Sequence, residues 1–271
     1  MTERLITALV ILAITIPIVI VGKLPFLILG MILVVLATIE LLNVLPNTKY
    51  VPFEVKAMTI LFTLYVVFSG FKVDSLPVVG AASGVNLLSV SLMVGLLLIV
   101  PLYRKKFNIG DVGFFLMTIF YVGTTFHAML YLRFLGLAYL LLVVVIAAVS
   151  DSAAYMVGKK FGRHKLAPLI SPNKTVEGAI GGTFFGVVIG TVLAYQTGIS
   201  TDIVFLGSVT AVISIMGTVG DLIASSIKRH YQVKDFGNLF PGHGGVLDRL
   251  DSHLFASLVF YLVLNLMNVV N

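Results

Sequence analysis

Long apolar segments alternate with short polar ones along the whole chain. Charged residues and Pro or Gly breaks separate nine apolar segments, at 4–21, 25–45, 55–71, 85–101, 111–130, 136–158, 177–197, 202–227 and 249–270. Most approach the roughly 20 residues that an α-helix needs to cross a bilayer. Because backbone polar groups in lipid must be satisfied within one segment, this length favours helices over strands. The pattern predicts an all-α polytopic integral membrane protein with about nine transmembrane helices in one membrane domain, residues 1–271.

The composition supports a membrane protein and excludes several other classes. Hydrophobic residues make up 59% of the 271 residues and charged residues only 11%, with a mean hydropathy of +1.08; a soluble domain carries about 25% charged residues. The absence of cysteine excludes disulfides and thiolate metal sites. The net charge of +6 indicates membrane orientation rather than nucleic-acid binding.

The distribution of Lys and Arg predicts which loops face the cytoplasm. With the amino terminus inside, the outer loops hold only Lys23, Lys72 and Arg133 of the 18 basic residues. Cytoplasmic loops normally carry the excess of positive charge. This orientation places both long polar loops, 159–176 and 228–248, on the cytoplasmic side.

Five acids lie at this same predicted membrane face: Asp151, Glu177, Asp221, Asp248 and Asp251. Carboxylates within membrane segments are costly and often mark functional sites. A single acid is more often an interfacial salt bridge or a helix-end charge, and an acid in the first turn, such as Glu177, also complements the helix dipole. The group as a whole indicates a site, because Mg²⁺ prefers carboxylates together with water and phosphate oxygens.

A Gly-rich turn precedes two of these acids, in the segment FPGHGGVLDRLDS at 240–252. Gly244 and Gly245 allow the backbone to turn tightly and present N–H groups to an anion. Cations and a histidine surround this turn: Lys228, Arg229, Lys234, His243 and Arg249. The combination predicts a site for a nucleoside triphosphate and its metal.

The other cytoplasmic loop has a similar character. Its SPNKT segment places Ser171, Asn173, Lys174 and Thr175 directly before a predicted helix, and a helix amino terminus readily binds anions. We expect this segment to contact substrate phosphate. The cations from Lys159 to Lys165 are at least as consistent with attraction to anionic lipid headgroups.

The segment from 225 to 251 resembles the signature of the phosphatidate cytidylyltransferases, also called CDP-diacylglycerol synthases. The matching positions are Ser225, Ser226, Ile227, Lys228, Arg229, Lys234, Asp235, Gly237, Pro241, His243, Gly244, Gly245, Asp248, Arg249 and Asp251. The segments DSAAY, GKKFGRHKLAP and SPNKTVEG also resemble that family. The resemblance therefore covers residues 136–271, which we expect to carry the site, whereas residues 1–135 are interpreted as a helical scaffold from hydropathy alone.

The resemblance implies a Mg²⁺-dependent enzyme that condenses CTP with phosphatidic acid to give CDP-diacylglycerol and pyrophosphate. By position, Asp221 and Asp248 correspond to metal-binding acids, with Asp251, Asp151 and Glu177 as further candidates. The implied catalytic set is Asp221, Lys228, Arg229, Asp248 and Asp251. The implied substrate-binding set is Ser171, Asn173, Lys174, Thr175, Ser225, Lys234, His243, Gly244, Gly245 and Arg249. A homodimer in the cell membrane is the assembly that the family suggests.

Two alternatives are other membrane enzymes, and a third, a transporter, belongs to a different class. A CTP-dependent ether-lipid cytidylyltransferase or lipid kinase would share the chemistry but use another acceptor. A CDP-alcohol phosphotransferase would carry a row of spaced aspartates with DG and AR pairs, which this chain lacks. A transporter would normally show repeats and ionisable groups near the membrane midplane, whereas here the acids gather at one face.

Overall fold

The chain is described by a computed structural model that covers residues 2–45, 51–71, 85–240, 242 and 244–267, with side chains from residue 9 onwards. Within these residues the structure is almost entirely helical, which confirms the all-α membrane class. The helices are α1 (Thr2–Val21), α2 (Lys23–Asn43), α3 (Phe53–Phe68), α4 (Leu87–Tyr103), α5 (Ile109–Leu135), α6 (Leu137–Phe161), α7 (Val176–Gln196), α8 (Ile203–His230) and α9 (Val246–Leu266).

Five of these helices, α2, α5, α6, α7 and α8, are long and apolar enough to cross a membrane. The helices α3 and α4 have 16 and 17 residues and fall short of the usual spanning length. The first two turns of α9 carry Asp248, Arg249 and Asp251, which lower its hydropathy. The chain is thus a multi-pass membrane protein, while a total of nine spans stays a prediction.

Besides an isolated β-bridge between Phe240 and Gly244, the described residues depart from an all-α architecture in a small hairpin of the loop 159–176. Strands β1 (Lys165–Ala167) and β2 (Ser171–Thr175) pair antiparallel, with Lys165 opposite Thr175. The SPNKT segment is therefore a strand rather than an irregular loop. Thr175 then caps α7, because its hydroxyl accepts a hydrogen bond from the Gly178 N–H at 3.1 Å.

Small residues let α7 pack closely against its neighbours. Gly178, Gly182, Gly186 and Gly190 repeat every fourth position and are all buried. A Cβ at Gly182 would lie 2.6 Å from the Ser150 carbonyl oxygen of α6, so the two backbones touch. The small residues of α7 therefore serve packing within one chain.

The residues of the predicted site lie on α6, the hairpin, α8 and the first turns of α9, and α2 packs against the start of α9. A buried apolar cluster joins α2, α3 and α5 to the start of α9, and includes Leu41, Phe115 and Leu247. A second cluster joins α6 and α8 to the rest of α9, and includes Ile146, Ile213 and Phe260. Because α9 takes part in both clusters, its first turns are fixed relative to both halves of the chain.

Candidate active site

A polar cavity of about 510 Å³ opens between α6, the hairpin, α7 and α8. Its polar lining comes from Asp151 of α6, Asn173, Lys174 and Thr175 of the hairpin, and Asp221 and Thr218 of α8. Lys159 also lines the cavity. The fold therefore brings the SPNKT segment and two of the predicted acids to one space.

Asp221 and Lys174 face each other across this cavity. The Lys174 ammonium forms a salt bridge with Asp221 Oδ2, and both side chains are about a quarter exposed, at 26% and 25%. The Ser225 hydroxyl donates to Asp221 Oδ1 at 3.2 Å from one turn further along α8. Since both groups remain accessible, an incoming anion or cation can replace either partner of the salt bridge.

Two further acids extend the negative side of the site towards α9. The Ser252 hydroxyl lies 3.3 Å from Asp151 Oδ2 and 3.5 Å from Asp251 Oδ1, so its one proton can be donated to either carboxylate. Asp251 also lies near enough to Asp221 for their charges to interact. The acids of α6, α8 and α9 thus form one acidic group beside the cavity.

Asp248 occupies a different, closed environment at the start of α9. Its Oδ2 accepts hydrogen bonds from the N–H groups of Phe236 at 2.8 Å and Gly245 at 3.0 Å. Its Oδ1 forms a salt bridge with Lys228 Nζ at 2.8 Å. The Asp248 side chain is only 2% exposed and that of Lys228 12%. Asp248 therefore holds the Gly-rich turn, the end of α8 and the start of α9 together.

An acid from the amino-terminal half completes this turn. Glu40 of α2 is buried, and its carboxylate accepts the Val246 N–H at 2.8 Å and the Leu247 N–H at 3.0 Å. These are the first N–H groups of α9, which have no partner within the helix. The negative charge also complements the amino-terminal end of the helix dipole. Glu40 therefore fixes the helix that carries Asp248 and Asp251.

Glu40 is the residue of the site that the sequence interpretation missed. The available signal was an acid inside an otherwise apolar span, which is costly without a partner. Two glycines of the signature now have a physical reason, since a Cβ at either Gly237 or Gly245 would collide with the Glu40 carboxylate. Of the two backbone N–H groups expected to bind phosphate, that of Gly245 donates to Asp248 instead, and phosphate binding by the turn stays a prediction.

The remaining predicted residues are spread around this centre. Arg229 is exposed and donates from Nε to the Ile170 carbonyl at 3.3 Å, which links α8 to the hairpin turn. Glu177 binds His164 Nδ1 at 2.6 Å and the Arg163 N–H at 3.0 Å, which ties the end of α6 to α7. Ser171 is half-buried on β2, Lys234 and Arg249 are exposed, and Gly244 has a positive φ of 84°. His243 lies outside the described residues.

The donor set of the acidic group fits Mg²⁺. The site offers carboxylates and hydroxyls, which are hard oxygen ligands. Across the part of the chain that the structure describes, no three acidic or histidine side chains form a preformed metal cage. Mg²⁺ usually binds through one or two carboxylates together with water and substrate phosphate, so Asp221 with a neighbouring acid is a sufficient protein contribution.

The fold and this site define a multi-pass helical membrane protein with a cavity suited to a phosphate-bearing substrate. A model of the cytidylyltransferase family matches residues 2–267. The phosphatidate cytidylyltransferase of Bacillus subtilis is 36% identical over 271 residues, covering 98% of each chain. That of Staphylococcus aureus (strain COL) is 36% identical over 256 residues, covering 94% of this chain and 95% of its own. The chain belongs to the cytidylyltransferase family.

Proposed function

We propose that this protein is a Mg²⁺-dependent phosphatidate cytidylyltransferase of the cell membrane. It condenses CTP with phosphatidic acid to give CDP-diacylglycerol and pyrophosphate. The observation that carries this proposal is the meeting of Asp151 and Asp221 with Lys174 in one cavity. Its support from comparison is the full-length similarity to relatives that bear this name.

The reaction needs charge neutralisation more than proton transfer. A phosphate monoester has a second pKa near 6 and is largely dianionic at neutral pH, so the lipid phosphate is itself the nucleophile. One of its oxygens forms a bond to the α-phosphorus of CTP, and the bond from that phosphorus to the leaving pyrophosphate oxygen breaks. We therefore assign no general base.

The cations of the site are assigned to the anionic groups of the substrates. Lys174 lies inside the cavity, where a triphosphate oxygen can replace Asp221 as its partner. Asn173 and Thr175 line the same wall and position the triphosphate beside it. Arg229, Lys234 and Arg249 are exposed cations near the site, and with Lys228 and His243 they are assigned to substrate phosphate, as the family resemblance implies. Fixed positive charges of this kind stabilise phosphoryl-transfer transition states.

The metal is assigned to the acidic group, with Asp221 as its principal ligand. Asp248, Asp251, Asp151 and Glu177 are the further candidates, and Asp251 and Asp151 lie beside Asp221 in the structure. Bound Mg²⁺ would neutralise the triphosphate and stabilise the departing pyrophosphate. The protein residues hold the reacting phosphates in line and at headgroup depth.

The orientation belongs to the same proposal: the amino terminus and both polar loops face the cytoplasm, which supplies CTP. Because the chain contains no cysteine, a single Lys160→Cys variant reports the sidedness of its loop. We expect a membrane-impermeant maleimide to label it in inside-out vesicles and not in intact cells. The reverse pattern would contradict the orientation. A homodimer stays a prediction, which the mass of the detergent-solubilised protein tests.

The direct test is pyrophosphate release by purified protein with CTP and Mg²⁺, in the presence and absence of phosphatidic acid. We expect release only when lipid and metal are both present. Release with an ether-linked or alcohol acceptor, and none with phosphatidic acid, would move the assignment to a related CTP-dependent transferase. Folded protein that binds no CTP would contradict the proposed function altogether.

A further inference from the structure

The polar cavity also has an apolar wall. Beside its charged residues, Ala154, Tyr155, Leu166 and Ala179 line it. Tyr155 of α6 is the aromatic residue of this lining in the described part of the chain, and it is 70% exposed. A ring this exposed adds little to the packing of the helices, but it offers a ligand in the cavity a flat apolar surface.

One face of α6 carries the residues that line the cavity. Asp151, Tyr155 and Lys159 follow one another at intervals of four residues, so they lie on the same side of the helix. Each interval corresponds to about 6 Å along the helix axis. Towards the end of α6, this face of the helix therefore presents an acid, then an aromatic ring, then a cation.

The acid marks the charged end of the cavity. Asp151 lies near enough to Lys174 and Asp221 for their charges to interact, and Lys174 forms a salt bridge with Asp221. Under the proposed function these groups take the triphosphate and its metal. A ribose joins the α-phosphate to the nucleobase, so the base of a bound nucleotide lies about one ribose away from the charged end. Tyr155 lies one helical turn from Asp151, which is a separation of this order.

A cation beyond the ring favours one position of the ring beside the cavity. Lys159 Nζ lies 5.9 Å from the centroid of the Tyr155 ring, within the range of a cation–π contact. Much of the ring stays uncovered, since Tyr155 is 70% exposed. The ring is therefore available for stacking by a planar group of the ligand.

We propose that Tyr155 stacks on the cytosine base of CTP. The inference rests on the proposed function and adds to it the subsite of the nucleobase. Aromatic side chains stack on any base, because every base has a π face. Tyr155 therefore contributes affinity for the nucleoside part of the substrate and does not choose among bases. An exposed tyrosine near the end of a membrane helix can instead anchor that helix at headgroup level, and the test separates the two roles.

The test compares Tyr155→Ala and Tyr155→Phe with a matched control, Tyr103→Ala. Tyr103 is 81% exposed at the end of α4 and does not line the cavity. We expect Tyr155→Ala to raise KM for CTP about tenfold, as for the loss of one stacking contact. Tyr155→Phe keeps the ring and should stay close to the native protein, and Tyr103→Ala should match it.

Inorganic tripolyphosphate separates the base from the phosphates, because it carries the charge of the triphosphate without a nucleoside. Its inhibition constant against CTP, measured at a fixed concentration of free Mg²⁺, should be the same in the native protein and in Tyr155→Ala. KM for phosphatidate should also be the same in both.

The stacking inference fails if Tyr155→Ala leaves KM for CTP unchanged, or if tripolyphosphate loses affinity in parallel with CTP. It also fails if Tyr155→Phe is impaired as much as Tyr155→Ala, since the ring would then not be the contact. A lower midpoint of thermal unfolding in Tyr155→Ala, with KM for CTP unchanged, would assign Tyr155 to anchoring instead. Native protein that binds no CTP would contradict the proposed function itself.

Discussion

Asp248 and Asp221 belong to the same predicted metal site, yet their environments differ. Asp248 is 2% exposed and binds Lys228 and two backbone N–H groups. Asp221 is 25% exposed and shares a cavity with Lys174. The comparison separates two tasks: one carboxylate stabilises the loop that builds the site, and the other is accessible to substrate and metal.

The physical reason lies in the cost of exchanging partners. A buried ion pair is strongly destabilised when one member is removed, because the other charge is left without compensation. The Lys174–Asp221 pair is about a quarter exposed, so water partly screens it and its separation costs less. Asp221 can therefore change its partner during a reaction cycle at low cost, whereas Asp248 is held by its contacts.

The largest expected effect follows from Asp221→Asn. This change removes the principal metal ligand while the shape of the side chain is kept. We expect kcat to fall roughly a thousandfold, since metal-based charge stabilisation contributes several kcal/mol. The midpoint of thermal unfolding in detergent should remain within a few degrees of that of the native protein.

The control for this variant is Glu54→Gln, because Glu54 is an exposed acid paired with Arg104 far from the cavity. It should leave both activity and the unfolding midpoint unchanged. If Asp221→Asn kept near-native activity while folded, Asp221 would not be the principal metal ligand.

Asp248→Asn sharpens the comparison, since it should affect stability as well as activity. The change leaves Lys228 buried without its anion, a loss of about 3 kcal/mol in the free energy of unfolding. We expect kcat to fall about a hundredfold, as a shift of the site by about 1 Å would produce. Activity assays and thermal unfolding, measured on the same preparation, report the two effects.

The double variant Asp248→Asn with Lys228→Met separates structure from catalysis. Removing both charges should restore most of the unfolding midpoint, because no uncompensated charge remains. Activity should stay low, since Lys228 belongs to the proposed catalytic set. If the single variant were as stable as the native protein, the structural role of Asp248 would be wrong.

Many residues of this candidate site could be predicted from the sequence, because they lie close together along the chain. The acids, the SPNKT segment and the Gly-rich turn lie in short stretches whose residue types suit phosphate and metal chemistry. Which acid would be accessible could not be predicted, because it depends on Lys228 and the Phe236 N–H, which contact Asp248 only after folding. Glu40 is a stronger case, since 206 residues separate it from Val246 along the chain.

Lys174→Gln tests the accessible side of the comparison. When CTP binds, Lys174 should release Asp221 and bind a phosphate oxygen. Loss of the Lys174 ammonium should therefore raise KM for CTP about tenfold, as expected for one charged hydrogen bond. The control is Lys160→Gln, which removes an exposed cation at the end of α6. Equal effects from the two variants would indicate general attraction of anions rather than a contact in the cavity.

Glu40→Gln should have the smallest effect on stability and activity. It tests how Glu40 positions the start of α9, where Asp248 is buried. Glutamine keeps the shape of Glu40 but offers one acceptor oxygen for the two N–H groups of Val246 and Leu247. The loss of one hydrogen bond to a charged group corresponds to about 2 kcal/mol at most, and water that reaches the turn reduces it. We expect a lower unfolding midpoint and a fall in kcat of only a few-fold.

Glu40→Ala should lower both quantities further, because both N–H groups then lose their acceptor inside the protein. Neither Glu40 variant should change KM for CTP by much, because Glu40 does not line the polar cavity. A Glu40→Ala variant with native stability and activity would show that α9 is positioned by its apolar contacts alone. A graded loss would instead show that the start of α9, with Asp248 and Asp251, depends on an acid from the amino-terminal half of the chain.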